Sequence, residues 1–331
     1  MNKIKIKEKV ISEESKVFIV AEIGINHEGS IKKAKKLIKK AKESGANAVK
    51  FQTYITDLFI HKKFAPEQYK LLKKYELSFN DFYELKKFAD SLNIIFFSSP
   101  FDIKSAKFLI EELKIPIIKI ASSELTDLPL IEYVSKKKVP LFISTGLHYE
   151  NEIKKVISEI KKINKKLVLI HCISNYPLQI KDANLLTIPY FKEKFNIIPG
   201  FSDHSKDTFL DIIAVSLGAK VIEKHFTLND KKEGADHRIS LTPSQFKKLV
   251  KDIRDTEEAL GEYKKIISKD EKKIRKMALK GIYAKKDILK GKIIKKEDII
   301  TLRPVKNLYA SEYKKIIGKK SKKNIKKGNY L

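Results

Sequence analysis

Residues 141–172 read LFISTGLHYENEIKKVISEIKKINKKLVLIHC, and this stretch contains the pattern that repeats along the chain. Two short apolar runs, LFIST (141–145) and LVLIHC (167–172), enclose a segment, Glu152–Ile163, with apolar residues at three- and four-residue spacing. That spacing predicts a helix, and the flanking runs predict buried strands. A strand, a helix and a second strand in this order indicate parallel strands joined by a helical crossover.

The same unit recurs in both directions until eight strands are found. The other six strand candidates are VFIVAEIGI (17–25), AVKFQTY (48–54), IIFFSS (94–99), IIKIAS (117–122), IIPGFS (197–202) and KVIEKHF (220–226). Helical spacing occurs at Ala34, Leu37, Ile38 and Ala41, and over Asp81–Leu92, Ile103–Leu113, Leu130–Lys138, Thr208–Leu217 and Ser244–Leu260. Eight such units within about 240 residues are typical of a closed barrel. The sequence therefore predicts an α/β fold, a (β/α)8 TIM barrel over residues 1–260.

The pattern changes after residue 260. Residues 261–274, GEYKKIISKDEKKI, are predicted to be a charged linker. Residues 275–331 contain brief strand-like pieces such as LKGIYA (279–284) and GKIIKKEDIITLRP (291–304). We expect a small β-rich domain there, of a size at which a single core is only just sufficient.

The net charge of +29 is unevenly spread, since residues 261–331 carry 24 Lys/Arg and 7 Asp/Glu. A basic tail of this kind could bind nucleic acid. It has only two arginines, Arg275 and Arg303, and no interleaving of aromatic and basic residues. Lysines that solvate helix faces, or a site for an anionic small substrate, explain the charge equally well, so we expect no nucleic-acid partner.

Composition also limits where the protein works. No run of eighteen or more apolar residues is present, so no membrane-spanning helix is expected. The first residues, MNKIKIKEKVISEESKVF, are charged and lack the apolar segment of a secretory signal. Cys172 is the single cysteine, which excludes intramolecular disulfides and cysteine-based zinc clusters. We therefore expect a cytoplasmic protein.

Polar residues lie in the middle or late part of every strand candidate. They are Glu22, Lys50, Gln52, Ser98, Ser99, Lys119, Ser122, Glu124, Ser144, Thr145, His171, Ser202, Asp203, His204, Glu223 and His225. Charged groups in buried strands are costly unless they are paired or functional. Barrel enzymes place catalytic groups at the carboxyl ends of their strands. The distribution therefore predicts an active site at that end of the barrel.

The histidines are the candidate metal ligands. His204 and His225 end adjacent strands, so their imidazoles could converge on one divalent ion, although a structural pair is a common alternative. His171 and Cys172 are consecutive, and neighbours in a strand point to opposite faces. A Cys/His dyad is therefore not expected, and Cys172 is predicted to lie in the core.

The buried lysines and glutamates leave several roles open. Lys50 and Lys119 could clamp a phosphate or carboxylate, or one of them could form a Schiff base. Glu22 and Glu124 are candidates for general acid/base catalysis. Structural ion pairs between the lysines and the glutamates are the alternative.

The ordered motifs carry a resemblance to a known family. They are AEIGINHEGS (21–30), GANAVKFQTY (45–54), FFSSPFD (96–102), IKIASSELTDLPLI (118–131), ISTG (143–146), HCISNYP (171–177), GFSDHS (200–205), LGAKVIEKHFTL (217–228) and GADHRISL (234–241). Together they resemble the sialic acid synthase family, which includes N-acetylneuraminate synthase and its legionaminic and pseudaminic acid synthase relatives. The tail from Leu302 to Gly328 resembles that family's antifreeze-like (SAF, β-clip) domain.

The resemblance implies a reaction and a metal. Phosphoenolpyruvate would condense with N-acetylmannosamine or a related N-acyl hexosamine to a nine-carbon 2-keto sugar acid and phosphate. His204 and His225 would hold a divalent ion, Mn2+ or else Mg2+ or Co2+, that polarises the sugar aldehyde.

The resemblance also implies residue roles. Lys50 and Lys119 match residues that bind phosphoenolpyruvate, and Glu22 and Glu124 match the acid/base candidates, with Glu22 preferred for handling the water. The implied substrate-binding residues are Gln52, Ser99, Ser122, Ser144, Tyr176, Asp236 and Arg303. In this family the arginine that matches Arg303 reaches the partner's active site in a domain-swapped homodimer.

Departures from the family motifs leave the sugar open. Ser174 stands where the N-acetylneuraminate-type motif has Asn, and Ser99 stands where Thr is common. Two other functions remain as alternatives. One is a different phosphoenolpyruvate-dependent 3-deoxy sugar-acid synthase acting on a phosphorylated aldose, and the other is a non-catalytic carbohydrate-binding relative.

Overall fold

A computed structural model describes residues 3–331 of the chain. The chain divides into two compact units at Gly261, and the second unit runs over Glu262–Leu331. Each unit has its own apolar core.

The first unit is built on eight parallel strands that close into a barrel, in which each strand pairs with its neighbours in chain order and the eighth pairs with the first. The barrel strands are Phe18–Gly24, Ala48–Thr53, Ile95–Pro100, Ile118–Ile120, Leu141–Ser144, Leu167–Cys172, Ile198–Asp203 and Val221–His225. The register pairs Glu22 with both Lys50 and His225, which brings three predicted site residues to one level. The predicted TIM barrel is confirmed.

Helices alternate with the barrel strands along the chain. In the first unit they are Ile31–Glu43, Thr56–Phe59, Pro66–Tyr75, Phe79–Ser91, Ile103–Lys107, Leu128–Lys136, Glu150–Ile163, Thr187–Phe195, Phe209–Ser216 and Pro243–Leu260. A π-helical turn, Phe108–Glu112, ends the helix predicted over Ile103–Leu113. Short 3-10 turns lie at Ser122–Glu124, Ile180–Asp182 and His237–Ile239.

The first of these helices shows how sequence sets the packing. The Ser30 side chain caps Ile31–Glu43 by accepting a hydrogen bond from Lys33 N. Ala34, Leu37, Ile38 and Ala41 form the buried face of this helix, as their spacing predicts. A hairpin of Ile4–Ile6 with Lys9–Ile11 was not predicted.

The core lies between strands and helices and inside the barrel. Strands that are covered on both faces are apolar at nearly every position, which explains the continuous runs in the sequence. Phe51, Phe96 and Phe97 are fully buried on two adjacent strands, and the Phe51 and Phe96 rings stack with centroids 5.1 Å apart. Polar side chains interrupt this core at the carboxyl ends of the strands.

The second unit contains the antiparallel strands Gly281–Ala284 and Ile299–Leu302, with helices Lys269–Ala278 and Tyr313–Ile316. Its 3-10 turns are Lys296–Asp298 and Ala310–Glu312. Its core contains Ile282, Ala284, Ile288, Ile294, Ile299, Ile325 and Leu331. The helix Lys269–Ala278 crosses the predicted boundary between the linker and the domain. No helix within residues 3–331 has both the length and the apolar character needed to span a membrane.

Candidate active site

A cavity of about 410 Å3 opens where the polar residues end the barrel strands. Eleven of the predicted site residues line it: Glu22, Lys50, Gln52, Ser99, Lys119, Ser122, Ser144, Tyr176, His204, His225 and Asp236. Glu124 is buried in the turn after the fourth strand and is not part of this lining. Arg303 belongs to the second unit. The structure therefore gathers most of the predicted site at one place.

Two lysines and two glutamates form the charged centre of the cavity. Lys50 Nζ lies 2.9 Å from Glu22 Oε1 and 3.6 Å from Glu223 Oε1. Lys119 Nζ lies 3.7 Å from the same Glu223 oxygen. All four side chains are at most 5% exposed, so little water screens these interactions. The second carboxylate oxygens, Glu22 Oε2 and Glu223 Oε2, have no hydrogen-bond partner within the described chain.

Burial and pairing shift the protonation of these groups in different directions. Burial raises the pKa of Glu22 to about 7, and the Lys50 charge offsets only part of that effect. Burial opposes the charge on Lys50, but the Glu22 and Glu223 carboxylates outweigh it and raise the Lys50 pKa. Burial lowers the pKa of Lys119, against the attraction of Glu223. Glu22 can therefore gain or lose a proton near neutral pH, as a general acid or base must.

Hydroxyl groups surround the two ammonium groups. Lys119 Nζ donates to Ser144 Oγ at 2.6 Å, and Lys50 Nζ donates to Ser99 Oγ at 3.4 Å. Ser122 Oγ accepts a hydrogen bond from Gly146 N at 3.1 Å. Ammonium groups and hydroxyls together form a donor-rich wall that suits phosphate or carboxylate oxygens.

The two histidines lie together on another part of the wall. The ring centroids of His204 and His225 are 5.5 Å apart, and the Tyr176 ring lies 4.3 Å from the His204 ring. His204 Nδ1 is 2.7 Å from the carbonyl oxygen of Ile173. A donor at Nδ1 leaves Nε2 with a free lone pair, which is the tautomer of a metal-binding imidazole.

The donor set fits a metal ion that keeps open positions. Burial lowers the pKa of His204, and burial together with His204 lowers the pKa of His225 well below its usual range, so both rings are neutral as metal ligands must be. His225 Nδ1 is buried without a hydrogen-bond partner, and the half-buried Asp236 lies 3.6 Å from it. No group of three or more His, Cys, Asp or Glu side chains among residues 3–331 is placed to hold a metal. An ion here would take its other ligands from water or substrate.

A loop after the eighth strand brings Asp236 to the site. Asp236 N donates to Asn26 Oδ1 at 3.0 Å, and the Asn26 amide donates to Phe226 O and Ser240 Oγ. Burial raises the pKa of Asp236 to about 6. Gly24, at φ +53°, allows the chain to pass close to Asp236 and Glu22.

The sequence gives no role to several residues that line the cavity. Glu223 is among the polar strand residues that indicate the active site, but its position between the two lysines was not predicted. Cys172 is buried as predicted, at 3% exposure, but its Sγ also lies 3.0 Å from Ser122 Oγ and borders the cavity, which was not predicted. Phe59, Gln68 and Leu72 come from segments between strands, where no strand pattern points to them.

A second cavity, of about 720 Å3, shares Leu147 and Cys172 with the first. Glu150 is its one charged lining residue among those described, and His171 also lines it. This cavity lacks the cations that an anionic substrate needs. The chemistry of the site therefore belongs to the smaller, charged cavity.

Both units of the chain match known protein families. The NeuB family profile matches residues 37–265, and the SAF domain profile matches residues 280–331. The N,N'-diacetyllegionaminic acid synthase of Legionella pneumophila is 40% identical over 95% of this chain and 93% of its own length. The pseudaminic acid synthase of Campylobacter jejuni is 38% identical over 96% of each chain.

A solved structure shares the fold of the chain. The N-acetylneuraminic acid (sialic acid) synthetase of Leptospira borgpetersenii, in complex with citrate, superposes with a TM-score of 0.77 and 34% identity, over 82% of this chain and 94% of that one. The relatives are named acid synthases, which are transferases, and the chain is an enzyme of that class. The resemblance read from the motifs is confirmed: the chain belongs to the NeuB family and carries a SAF domain.

Proposed function

We propose that this enzyme condenses phosphoenolpyruvate with N-acetylmannosamine or a related N-acyl hexosamine, giving a nine-carbon 2-keto sugar acid and phosphate. One observation carries the proposal: Lys50 and Lys119 both lie within 3.7 Å of one Glu223 oxygen, in a cavity that also holds a neutral histidine pair. The cations suit an anionic substrate, and the histidines suit an ion that binds an aldehyde. The names of the legionaminic and pseudaminic acid synthase relatives support the same class of product.

Phosphoenolpyruvate would bind at the lysine wall. Lys119 with Ser144 and Lys50 with Ser99 supply paired donors for its phosphate and carboxylate oxygens. The incoming negative charge would disturb the balance between two lysines and two glutamates. Because the pKa of Glu22 is about 7, a large share of this side chain is ionised at and above neutral pH, and the ionised form is the one that can act as a base.

The chemistry forms one carbon–carbon bond, breaks one carbon–oxygen bond and consumes one water. Carbon 3 of phosphoenolpyruvate attacks the carbon of the open-chain sugar aldehyde, whose oxygen takes up a proton from solvent and becomes a hydroxyl, and water then adds at carbon 2. Glu22, ionised at this point, accepts one proton of that water. The tetrahedral carbon expels phosphate with cleavage of the carbon–oxygen bond, and the departing phosphate takes the other proton of that water as carbon 2 becomes a keto group. Glu124 does not line the cavity, so its acid/base role stays a prediction.

A divalent ion is part of the proposal. His204 and His225 would hold Mn2+, with Mg2+ or Co2+ as alternatives, and the ion would act as a Lewis acid toward the aldehyde oxygen. Tyr176 and Asp236 lie beside the histidines and would contact the sugar. The free thiol of Cys172 fits a reducing cytoplasm, where we place the enzyme.

Phosphate release by the Mn2+-loaded protein tests the reaction. The sugar panel contains N-acetylmannosamine, a 2,4-diacetamido hexose and arabinose 5-phosphate, and product mass identifies the acid formed. We expect phosphate and a nine-carbon acid with at least one N-acyl sugar. Release with arabinose 5-phosphate alone would favour the 3-deoxy sugar-acid synthase, and release with none would favour the non-catalytic relative.

The second unit enters the proposal through Arg303, which the family resemblance assigns to the active site of a partner chain in a domain-swapped homodimer. Mixing Arg303→Ala protein with His204→Asn protein tests this assignment. Random pairing would give heterodimers with one intact site, so about a quarter of the wild-type activity would return. If Arg303 serves its own barrel, or none, the mixture stays inactive.

A further inference from the structure

A buried ion pair lies behind the two candidate metal ligands. Asp203 precedes His204 and Lys224 precedes His225, and the Asp203 and Lys224 side chains are in direct contact with 0% exposure. Neighbouring residues of a strand point to opposite faces. His204 and His225 line the cavity, whereas Asp203 and Lys224 do not. The pair therefore lies on the other side of the barrel wall from the site.

The ammonium group of Lys224 ties the loop after the seventh strand to the eighth strand. Besides contacting Asp203, Lys224 Nζ donates to Ser205 O at 2.9 Å and to Asp207 O at 2.6 Å. Asp203 completes the arrangement, because its carboxylate accepts from Ser205 N and from Ser205 Oγ, each at 2.8 Å. Residues 203–207, which include His204, are thus folded around one group of the strand that carries His225.

A gain in folding stability does not explain why Asp203 and Lys224 form a buried ion pair. Burying an ion pair costs desolvation that its attraction barely repays, and an apolar pair of the same volume often stabilises as well or better. Fixed geometry gives a better account, since Lys224 of the eighth strand holds the carbonyl groups of Ser205 and Asp207 in the loop that carries His204. The place of the pair, directly behind both histidines, matches that role.

We propose that Asp203 and Lys224 are positioning residues that set the spacing between His204 and His225, and with it the affinity for a divalent ion. This inference rests on the proposed function, in which the two histidines hold that ion. Groups that orient metal ligands change metal affinity by about 10- to 100-fold when they are removed.

Mn2+ binding, followed by the electron paramagnetic resonance of free Mn2+, tests the proposal in wild type, D203N and K224M. If the pair positions the histidines, both variants bind Mn2+ at least 10-fold more weakly. If the pair acts only through its electric field, loss of the Lys224 cation tightens binding and loss of the Asp203 anion weakens it. Opposite shifts would therefore overturn the proposal, as would unchanged affinity in both variants.

D211N is the matched control. Asp211 Oδ2 lies 3.8 Å from Lys224 Nζ in the same buried cluster. Burial and the neighbouring Asp203 raise the pKa of Asp211 well above its usual range, so an asparagine replaces a neutral acid. We expect Mn2+ affinity within twofold of wild type. A 10-fold loss in D211N would show that any change in this cluster disturbs the site, and the specific role of the pair would be lost.

Two further measurements keep the outcomes distinct. If K224M does not fold, Ser205→Ala replaces it, because that change removes a loop hydrogen bond without changing charge and should weaken Mn2+ binding. In D203N, kcat should recover at saturating Mn2+ while KM for phosphoenolpyruvate stays at the wild-type value. If wild-type protein binds no Mn2+, the proposed metal role fails and this inference with it, whereas normal binding by D203N and K224M overturns this inference alone.

Discussion

Replacing Gly24 by alanine is predicted to damage catalysis through one added methyl group. Gly24 has φ +53° and follows an irregularity in the pairing of the first two barrel strands, between Glu22 and Gly24. A Cβ atom at Gly24 would lie 3.2 Å from Glu22 Oε1, and 3.4 Å from both Gln52 Nε2 and Asp236 Oδ2. The Glu22 oxygen is the one that pairs with Lys50, so the shift of a few tenths of an ångström that makes room for the Cβ atom changes this pairing.

Two separate effects follow, with different sizes. The left-handed backbone costs an alanine about 1–2 kcal/mol of stability. A 1 Å misplacement of reacting groups can lower a rate by about 100-fold. If the loss scales with distance, a shift of a few tenths of an ångström in the Glu22 carboxylate lowers kcat/KM by roughly 3- to 10-fold.

Gly218→Ala separates the two effects. Gly218 follows the helix Phe209–Ser216 at φ +100°, and a Cβ there would meet nothing within 4 Å. We expect both variants to lose stability in urea unfolding, and only Gly24→Ala to lose kcat/KM for phosphate release. Equal activity of the two variants would refute the reasoning, because the crowding of Glu22, Gln52 and Asp236 would then have no consequence.

Three further predictions concern single side chains of the cavity. Burial raises the pKa of Glu22 to about 7 and the carboxylate is the active base, so kcat/KM should rise with pH through about 7. Glu22→Gln should keep only residual activity, and that activity should not rise over this pH range. If the residual activity of Glu22→Gln shows the same rise, another group causes the pH dependence. Lys119→Met removes a charged donor from the lysine wall and should raise KM for phosphoenolpyruvate by roughly 10- to 100-fold in steady-state kinetics. Lys136 is exposed, and Lys136→Met should leave this KM unchanged. His204→Asn should abolish Mn2+ binding in calorimetry. The unfolding midpoint of the metal-free variant should stay within about 4 °C of wild type, which corresponds to a change of roughly 1–2 kcal/mol in the free energy of unfolding. Full Mn2+ affinity in this variant would contradict the assignment of His204.

Strand periodicity predicts most of the candidate site. Glu22, Lys50 and His225 lie in regular strands of a closed barrel, where alternation fixes the face and chain order fixes the neighbours. Their meeting at one level follows from the register of adjacent strands. The bridging position of Glu223 does not follow in this way, because it depends on how far Lys50 and Lys119 reach into the barrel.

Prediction fails where regular structure ends. The fourth strand stops at Ile120 and a 3-10 turn, Ser122–Glu124, follows it, so strand alternation does not extend to Glu124. Cys172 is buried, as its place at the end of an apolar run predicts, but that run does not show that the core borders the cavity at this residue. The N-terminal hairpin has strands of only three residues, too short for alternation to stand out.

The fate of the bridging oxygen of phosphoenolpyruvate tests the central claim most directly. The substrate is labelled with 18O between carbon 2 and phosphorus, and the enzyme is supplied with Mn2+ and the best N-acyl hexosamine from the panel. Attack of water at carbon 2 followed by carbon–oxygen cleavage predicts that the label leaves with phosphate, and that the keto oxygen of the nine-carbon acid comes from solvent. Unlabelled phosphate, with 18O retained in the acid or in pyruvate, would contradict it.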